Sequence, residues 1–231
     1  MIKKFFKTIF MFLGIYIVSS LIIVATFIFI NPAATAFINN ADQEEIENFF
    51  IPNSVVHGWT SFGNISSYVK LAVIASEDQT FKDHFGFDLQ QIKKAWRDKE
   101  RGRRVRGAST ISMQTAKNLF LYGEKNFLRK GLEAYYTLII ELLWTKERIL
   151  EVYLNTAQFG KNVFGVEAAS NEFYHRVPSR LTLNQAATLA AVLPSPERFN
   201  AKRPSRYIIG RRANIIRQMY LIGWKDYLNQ L

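Results

Sequence analysis

The sequence predicts a mostly α-helical domain that follows one N-terminal transmembrane helix. Three observations predict this fold class. The run from Thr8 to Ile30 carries no charged residue, helical periodicity dominates from Ile65 onward, and no long alternating strand pattern occurs. As a helix, the apolar run would be roughly 34 Å long, enough to cross a bilayer core of about 30 Å.

The charges around the apolar run predict its orientation. Basic residues precede it (Lys3, Lys4, Lys7) and acidic residues follow it (Asp42, Glu44, Glu45, Glu47). This pattern favours a cytoplasmic N-terminus with the rest of the chain outside. A cleaved signal peptide is the alternative, but its apolar region would span only about 7 to 15 residues, so we favour a retained anchor. We therefore predict a cytoplasmic basic tail (1–7), a transmembrane helix (8–30) and a juxtamembrane connector (31–64).

The remainder, 65–231, is predicted to be one helical domain. Its predicted helices are 65–77, 88–100, 109–119, 126–143, 146–155, 162–174, 182–192 and 204–221.

The amino-acid composition excludes some kinds of functional site and indicates the charge of the partner. The 231 residues include no cysteine, which excludes disulfides, a thiol nucleophile and cysteine-based zinc sites. The net charge of +11 predicts an anionic partner, which could be a membrane surface, a phosphorylated substrate or nucleic acid. The predicted location outside the cytoplasm and the lack of a nucleic-acid motif argue against nucleic acid. The basic run 93–106 is either a solvated surface or a face that holds lipid phosphates.

Glu77 and Asp78 end the apolar helix 65–77 and precede a turn. An apolar helix on one side and a polar turn on the other suit a general base or acid. Simple helix termination is the alternative reading.

Two further stretches carry groups that suit a sugar-phosphate ligand. Ser109 is predicted to cap a helix that starts at Thr110, so that Thr110, Gln114 and Lys117 share one face. Arg129 and Lys130 precede Glu133 in an otherwise apolar helix. Each set could instead be an ordinary exposed helix face, and Arg129 could simply pair with Glu133. The histidines at 57, 84 and 175 are too scattered to indicate a metal site.

Taken in order, these segments resemble the peptidoglycan glycosyltransferases, and the single anchor without an acyltransferase domain resembles their monofunctional type. The resemblance is carried by Glu77-Asp78-x-x-Phe81-x-x-His84-x-Gly86-x-Asp88, Gly107-x-Ser109-Thr110-Ile111 through Gln114 to Lys117-Asn118, Arg129-Lys130-x-x-Glu133, Lys146-x-x-Ile149-Leu150-Glu151-x-Tyr153-Leu154-Asn155, and Gly165 with Ala168-Ala169, followed by Leu189-Ala190-Ala191 through Pro194.

The resemblance implies a lysozyme-like helical fold that polymerises lipid II through β-1,4 bonds and releases undecaprenyl diphosphate. It implies that Glu77 is the general base on the acceptor hydroxyl and Glu133 the second carboxylate. Other residues would bind substrate: Lys117, Arg129 and Lys130 on the donor diphosphate, with Ser109, Thr110, Gln114, Asn118, Asp78, Phe81 and His84 around it. Met113, Gln158 and Gln185 depart from the family pattern.

The same resemblance sets expectations for cofactors and partners. It implies no required cofactor and leaves open an assisting divalent cation, Mg²⁺ or Mn²⁺. The expected partners are lipid II, the growing glycan strand, the membrane and other cell-wall synthesis proteins, at the bacterial inner membrane with the catalytic domain in the periplasm. Two rival functions remain at this point, a lytic glycan hydrolase and a non-enzymatic basic module.

Overall fold

The structure is a computed structural model that describes residues 2–32, 56–103, 107–121 and 126–231. Part of the predicted connector, 33–55, lies outside the described residues, as do 104–106 of the basic run. The helices are α1 (Ile2–Thr26), α2 (Ser67–Glu77), α3 (Leu89–Glu100), α4 (Ile111–Phe120), α5 (Phe127–Leu143), α6 (Lys146–Thr156), α7 (Val166–Tyr174), α8 (Leu183–Val192), α9 (Arg206–Leu221) and α10 (Lys225–Leu228). Short 3₁₀ helices occupy Phe62–Asn64 and Pro178–Arg180.

Three short strands join the helices: β1 (Val56–His57), β2 (Gln158–Gly160) and β3 (Val163–Phe164). β3 is central, parallel to β1 and antiparallel to β2. The predicted helix 162–174 was therefore wrong at its start, because its first apolar residues form β3 and α7 begins only at Val166. β1 precedes the predicted domain boundary at 65 and pairs with β3.

The loop between β3 and α7 requires a glycine. Gly165 has a φ of +82°, and a Cβ there would lie 2.8 Å from the carbonyl oxygen of Asn155. This close approach lets the sheet pack directly on α6. Asn155 completes the junction, because its side-chain oxygen accepts from the backbone N–H of Thr60 at 2.7 Å.

Helix α2 is the centre of the domain. Ser66 caps it by accepting from the backbone N–H of Tyr68, and the stretch from Val69 to Ala75 is buried on all sides. A helix that is buried all round needs neighbours on several faces. α8 and α9 provide them, and the small residues Ala186, Ala187, Ala190 and Ala191 of α8 allow close packing.

Helix α1 is long and apolar enough to cross a membrane, by length and composition. It starts at Ile2, so Lys3, Lys4 and Lys7 lie inside the helix, and it ends before the predicted limit of Ile30. Most of its apolar side chains are exposed, unlike those of a core helix.

The C-terminal half of α1 is attached to the domain. The hydroxyls of Ser20 and Tyr135 are hydrogen-bonded at 2.6 Å, and the indole N–H of Trp144 donates to the carbonyl of Val24 at 2.9 Å. The guanidinium of Arg148 donates to the carbonyl of Phe27, which lies just beyond the helix end. These contacts hold the end of α1 against α5 and the start of α6.

Candidate active site

Glu77 is the last residue of α2 and stands at the edge of the core. Its side chain is 15% exposed, so the carboxylate is held by protein on most sides yet remains accessible. Oε1 accepts from the hydroxyl of Ser76 at 3.0 Å, and Oε2 accepts from the amide Nε2 of Gln114 at 3.3 Å. A guanidinium nitrogen of Arg211 lies 3.8 Å from Oε1. Two hydrogen-bond donors and a guanidinium therefore hold the carboxylate in a defined orientation.

The neighbouring Asp78 faces inward. Its carboxylate accepts from Nε2 of His84 at 2.9 Å and from the backbone N–H of Ile111 at 2.9 Å. Both side chains are buried, and Phe81 between them is fully buried. These three residues were expected to contact substrate. Their contacts support the turn between α2 and α3, and their contact with substrate stays a prediction.

The turn after Phe81 is fixed from the other side by a buried ion pair. Nζ of Lys146 lies 2.8 Å from Oε1 of Glu141, donates to the carbonyl of His84 at 2.6 Å and lies over the ring of Phe81. The hydroxyl of Ser112 also donates to Glu141. α5 and α6 thereby hold the segment that follows Glu77.

Helix α4 starts one residue later than predicted. Thr110, not Ser109, is the N-cap, and its hydroxyl accepts from the backbone N–H of Met113 and donates to the carbonyl of Gly86 at 2.6 Å. Thr110 is therefore buried and fully used by the fold, whereas Ser109 is exposed. Of the predicted pair, only Ser109 presents its hydroxyl at the surface.

The face of α4 that follows carries Gln114 and, about one turn on, Lys117. Both are partly exposed. Asn118 is buried, with a long contact of 3.5 Å from its amide nitrogen to the carbonyl of Thr156, while its oxygen has no hydrogen-bond partner among the described residues. Gln114 also receives a hydrogen bond at Oε1 from the hydroxyl of Tyr153 at 3.2 Å.

Helix α5 packs against α4 and carries the second predicted group. Glu133 is buried, and Nζ of Lys130 lies 2.5 Å from its Oε1. Glu133 is therefore paired with Lys130 and not with Arg129. Nε of Arg129 is buried without a hydrogen-bond partner in the described part of the chain. The structure thus joins Glu133 to Lys130 and Glu77 to Gln114. Gln114 belongs to α4, and α4 packs against α5, which carries Glu133.

Three further residues contact Glu77 or Gln114, and the sequence predicted a site role for none of them: Ser76, Tyr153 and Arg211. Arg211 comes from α9, and nothing in the local sequence links it to Glu77. Tyr153 lies on the buried side of an amphipathic helix, where a core residue is the usual expectation.

The departures from the family pattern have structural roles here. Met113 is buried in α4. Gln185 forms a capping box with Thr182, in which its side-chain oxygen accepts from the backbone N–H of Thr182 at 3.0 Å. Gln158 is part of β2 and pairs with Phe164.

The acidic and histidine side chains of the described residues form no cluster of three that could hold a metal ion. No side chain is therefore assigned to a divalent cation.

Comparison with known proteins identifies the family. Residues 42–220 match the model of the transglycosylase family. The chain is 54% identical over 173 residues to a biosynthetic peptidoglycan transglycosylase of Escherichia coli, covering 74% of this chain and 72% of the relative. It is 47% identical over 216 residues to the protein of that name from Pseudomonas putida, covering 94% and 91%.

These matches confirm the resemblance and the mostly helical, lysozyme-like fold. The N-terminal apolar helix is consistent with a single-pass anchor. The chain belongs to the peptidoglycan transglycosylases, the glycosyltransferases of bacterial cell-wall biosynthesis.

Proposed function

We propose that this enzyme polymerises lipid II. The 4-hydroxyl of the acceptor sugar attacks the anomeric carbon of the donor and forms a β-1,4 bond. The bond from that carbon to the phosphate oxygen breaks, and its electron pair leaves with undecaprenyl diphosphate. The hydroxyl proton passes to Glu77. The observation that carries the proposal is the placement of Glu77 at the end of a buried helix, held by donors and still accessible.

A sugar hydroxyl is a poor nucleophile and needs a base within hydrogen-bond reach. Glu77 suits this role because Ser76 and Gln114 fix its two oxygens without enclosing it. Fixing the carboxylate in advance lowers the cost of aiming it at the acceptor.

The diphosphate leaving group gives a reason for the basic side chains near the site. A diphosphate gains negative charge as the bond breaks, and preorganised positive groups stabilise that charge. Lys117, Arg129 and Lys130 would provide them, with Ser109 as a hydroxyl donor. Glu133 would act by holding the ammonium of Lys130 in place, which the 2.5 Å contact supports.

The substrate is bound to lipid, so the site must stay near a bilayer. Helix α1 would anchor the chain in the inner membrane, with the catalytic domain in the periplasm, where lipid II, the growing glycan strand and other cell-wall synthesis proteins would meet it. The contacts of α1 with Tyr135, Trp144 and Arg148 support a fixed distance between anchor and domain.

We further propose that the three cations act without a required cofactor. Polymerisation in the presence of a chelator, with and without added Mg²⁺ or Mn²⁺, tests this. Loss of activity in chelator with recovery on adding either ion would contradict it.

The proposed function is tested with detergent-solubilised full-length protein, labelled lipid II and, separately, preformed glycan. We expect polymer and released undecaprenyl diphosphate. Shortened glycan without polymer would replace the proposal with a lytic activity. Binding of lipid II without any product would replace it with a non-enzymatic module.

A further inference from the structure

A buried tyrosine is connected to the proposed base, Glu77, through one intervening side chain. Tyr153 of α6 is 1% exposed. Its hydroxyl lies 3.2 Å from Oε1 of Gln114, and Nε2 of the same amide lies 3.3 Å from Oε2 of Glu77. The three side chains form a chain of hydrogen bonds from the core to the edge of the site.

The chemistry of the groups fixes the direction of this chain. A carboxylate only accepts hydrogen bonds, so Gln114 must turn its NH₂ group toward Glu77. Its carbonyl oxygen then faces Tyr153, which must donate. Burial, with the charges of Glu77 and Asp78 nearby, raises the pKa of the Tyr153 phenol well above its ordinary value. The phenol therefore keeps its proton across the working pH range.

We propose that Tyr153 is a positioning residue that acts on Glu77 through Gln114. Its hydroxyl holds the Gln114 amide in the one orientation that donates to the carboxylate. Without that hydroxyl, the amide is free to rotate and present its oxygen to Glu77, which disfavours the charged form. The inference rests on the proposed function, because it assigns Tyr153 a part in keeping the base ready.

Other charged groups also lie near Glu77. α9 contributes Arg211, which also donates to Ser76 at 3.0 Å. α8 carries no titratable residue. Further charged or titratable groups on the neighbouring elements include Asp78 with its partner His84, Lys117 on α4, Arg212 on α9 and Tyr227 on α10. Replacing the phenol alone leaves these groups in place and removes only the first hydrogen bond of the chain.

The test is the pH dependence of lipid II polymerisation by full-length Tyr153→Phe. The acid limb of kcat is expected to move to higher pH by about one unit, as when one hydrogen bond to a charged group is lost. KM for lipid II is expected to stay unchanged. Tyr174→Phe is the matched control, because it removes a partly buried tyrosine hydroxyl that donates to the carbonyl of Ala201 and has no bond to Gln114. Its acid limb should match that of the wild type.

A double variant tests the route. In a Gln114→Leu background, Tyr153→Phe should move the acid limb no further, because the intermediate amide is already gone. A further shift in that background, or an unmoved limb in the single variant, would overturn the proposal. If Tyr153→Phe failed to fold, as judged by circular dichroism, Gln114→Leu alone would decide, and an unmoved limb there would also overturn it.

The same experiment separates this inference from the proposed function. A wild-type protein that makes no polymer contradicts the proposed function. If the wild type polymerises lipid II and the acid limb of Tyr153→Phe lies at the same pH as that of the wild type, only the role of Tyr153 is contradicted.

Discussion

Nζ of Lys146 and Oε1 of Glu141 lie 2.8 Å apart, and both side chains are largely removed from solvent. The pair connects α5 and α6 to the turn that follows Glu77, because Lys146 also donates to the carbonyl of His84. A buried pair of this kind contributes little relative to an apolar replacement, but breaking it leaves an uncompensated buried charge.

We therefore predict that Lys146→Met lowers the free energy of unfolding by about 3 to 5 kcal/mol. Urea unfolding in detergent measures this. Lys94→Met, at an exposed position of α3, is the matched control and should change it by less than about 0.5 kcal/mol. Adding Glu141→Gln to Lys146→Met should recover part of the loss, and a double variant less stable than the single one would contradict the explanation.

Gly86 offers a second prediction in the same turn. Its φ is +79°, and a Cβ would lie 2.7 Å from Cγ2 of Thr137 and 3.1 Å from Cγ of Glu141. Gly86→Ala should therefore cost about 2 to 4 kcal/mol, from the left-handed backbone and the collision together. Thermal unfolding measures it.

The control for Gly86 is Gly210→Ala. Gly210 lies inside α9, and a Cβ at this position would have open space within 4 Å. Alanine there should stabilise the helix by about 0.5 to 1 kcal/mol. Equal effects of the two substitutions would refute the assignment of a special backbone at Gly86.

The helices could be predicted because each carries its own signals. α2 begins after a serine cap and α8 after a capping box, and both contain unbroken runs of helix-forming apolar residues. β3 could not be predicted in the same way. Val163 and Phe164 look like the start of an apolar helix face, and their pairing with β2 and with distant β1 makes them a strand.

The position of a site residue could be predicted where the local sequence determines it. It could not be predicted where contacts between distant segments determine it. Glu77 ends a buried helix, which the sequence indicates directly. By contrast, two hydroxyls in a row, Ser109 and Thr110, could each cap α4, and the choice depends on the carbonyl of Gly86. Arg211 reaches Glu77 only because α9 packs against α2.

Lys70 is buried in α2, with its ammonium over the ring of Phe62 at 3.7 Å. Burial lowers its pKa, and the charges of Glu147 and Glu151 oppose that shift only in part. A lowered pKa in the folded state means that the charged ammonium opposes folding at neutral pH and that this cost disappears as pH rises toward 10.5.

Lys70→Met should therefore stabilise the protein at pH 7, by about 1 kcal/mol, and remove the gain in stability that the wild type shows as pH rises toward 10.5. Urea unfolding across that range is the measurement. Destabilisation at neutral pH would indicate instead that the contact with Phe62 outweighs the burial of charge.

Two tyrosines, the buried Tyr227 and the partly buried Tyr174, predict a loss of stability in alkali. Burial raises the pKa of Tyr174 to about 12 and raises that of Tyr227, whose hydroxyl accepts from the backbone N–H of Lys82. Because these folded-state pKa values lie above the unfolded value of about 10, their stabilisation is complete below about pH 10 and is lost as pH rises through the folded values.

The free energy of unfolding should therefore fall steeply above about pH 10.5. Tyr174→Phe should make that alkaline decline shallower, since phenylalanine has no proton to lose. The decline would have another origin if Tyr174→Phe and Tyr227→Phe both left its slope unchanged.

The role of Glu77 is the central claim, and the rate of lipid II polymerisation by Glu77→Gln tests it most directly. The substitution keeps the shape and removes the base. Asp83→Asn is the matched control, because Asp83 is an exposed carboxylate in the following turn, paired with Lys82 at the surface. We predict that Glu77→Gln lowers kcat by a factor of about 10² to 10⁴ while still binding lipid II, and that Asp83→Asn stays within about twofold of the wild type. Polymerisation by Glu77→Gln at the wild-type rate would contradict the assignment of Glu77 as the base.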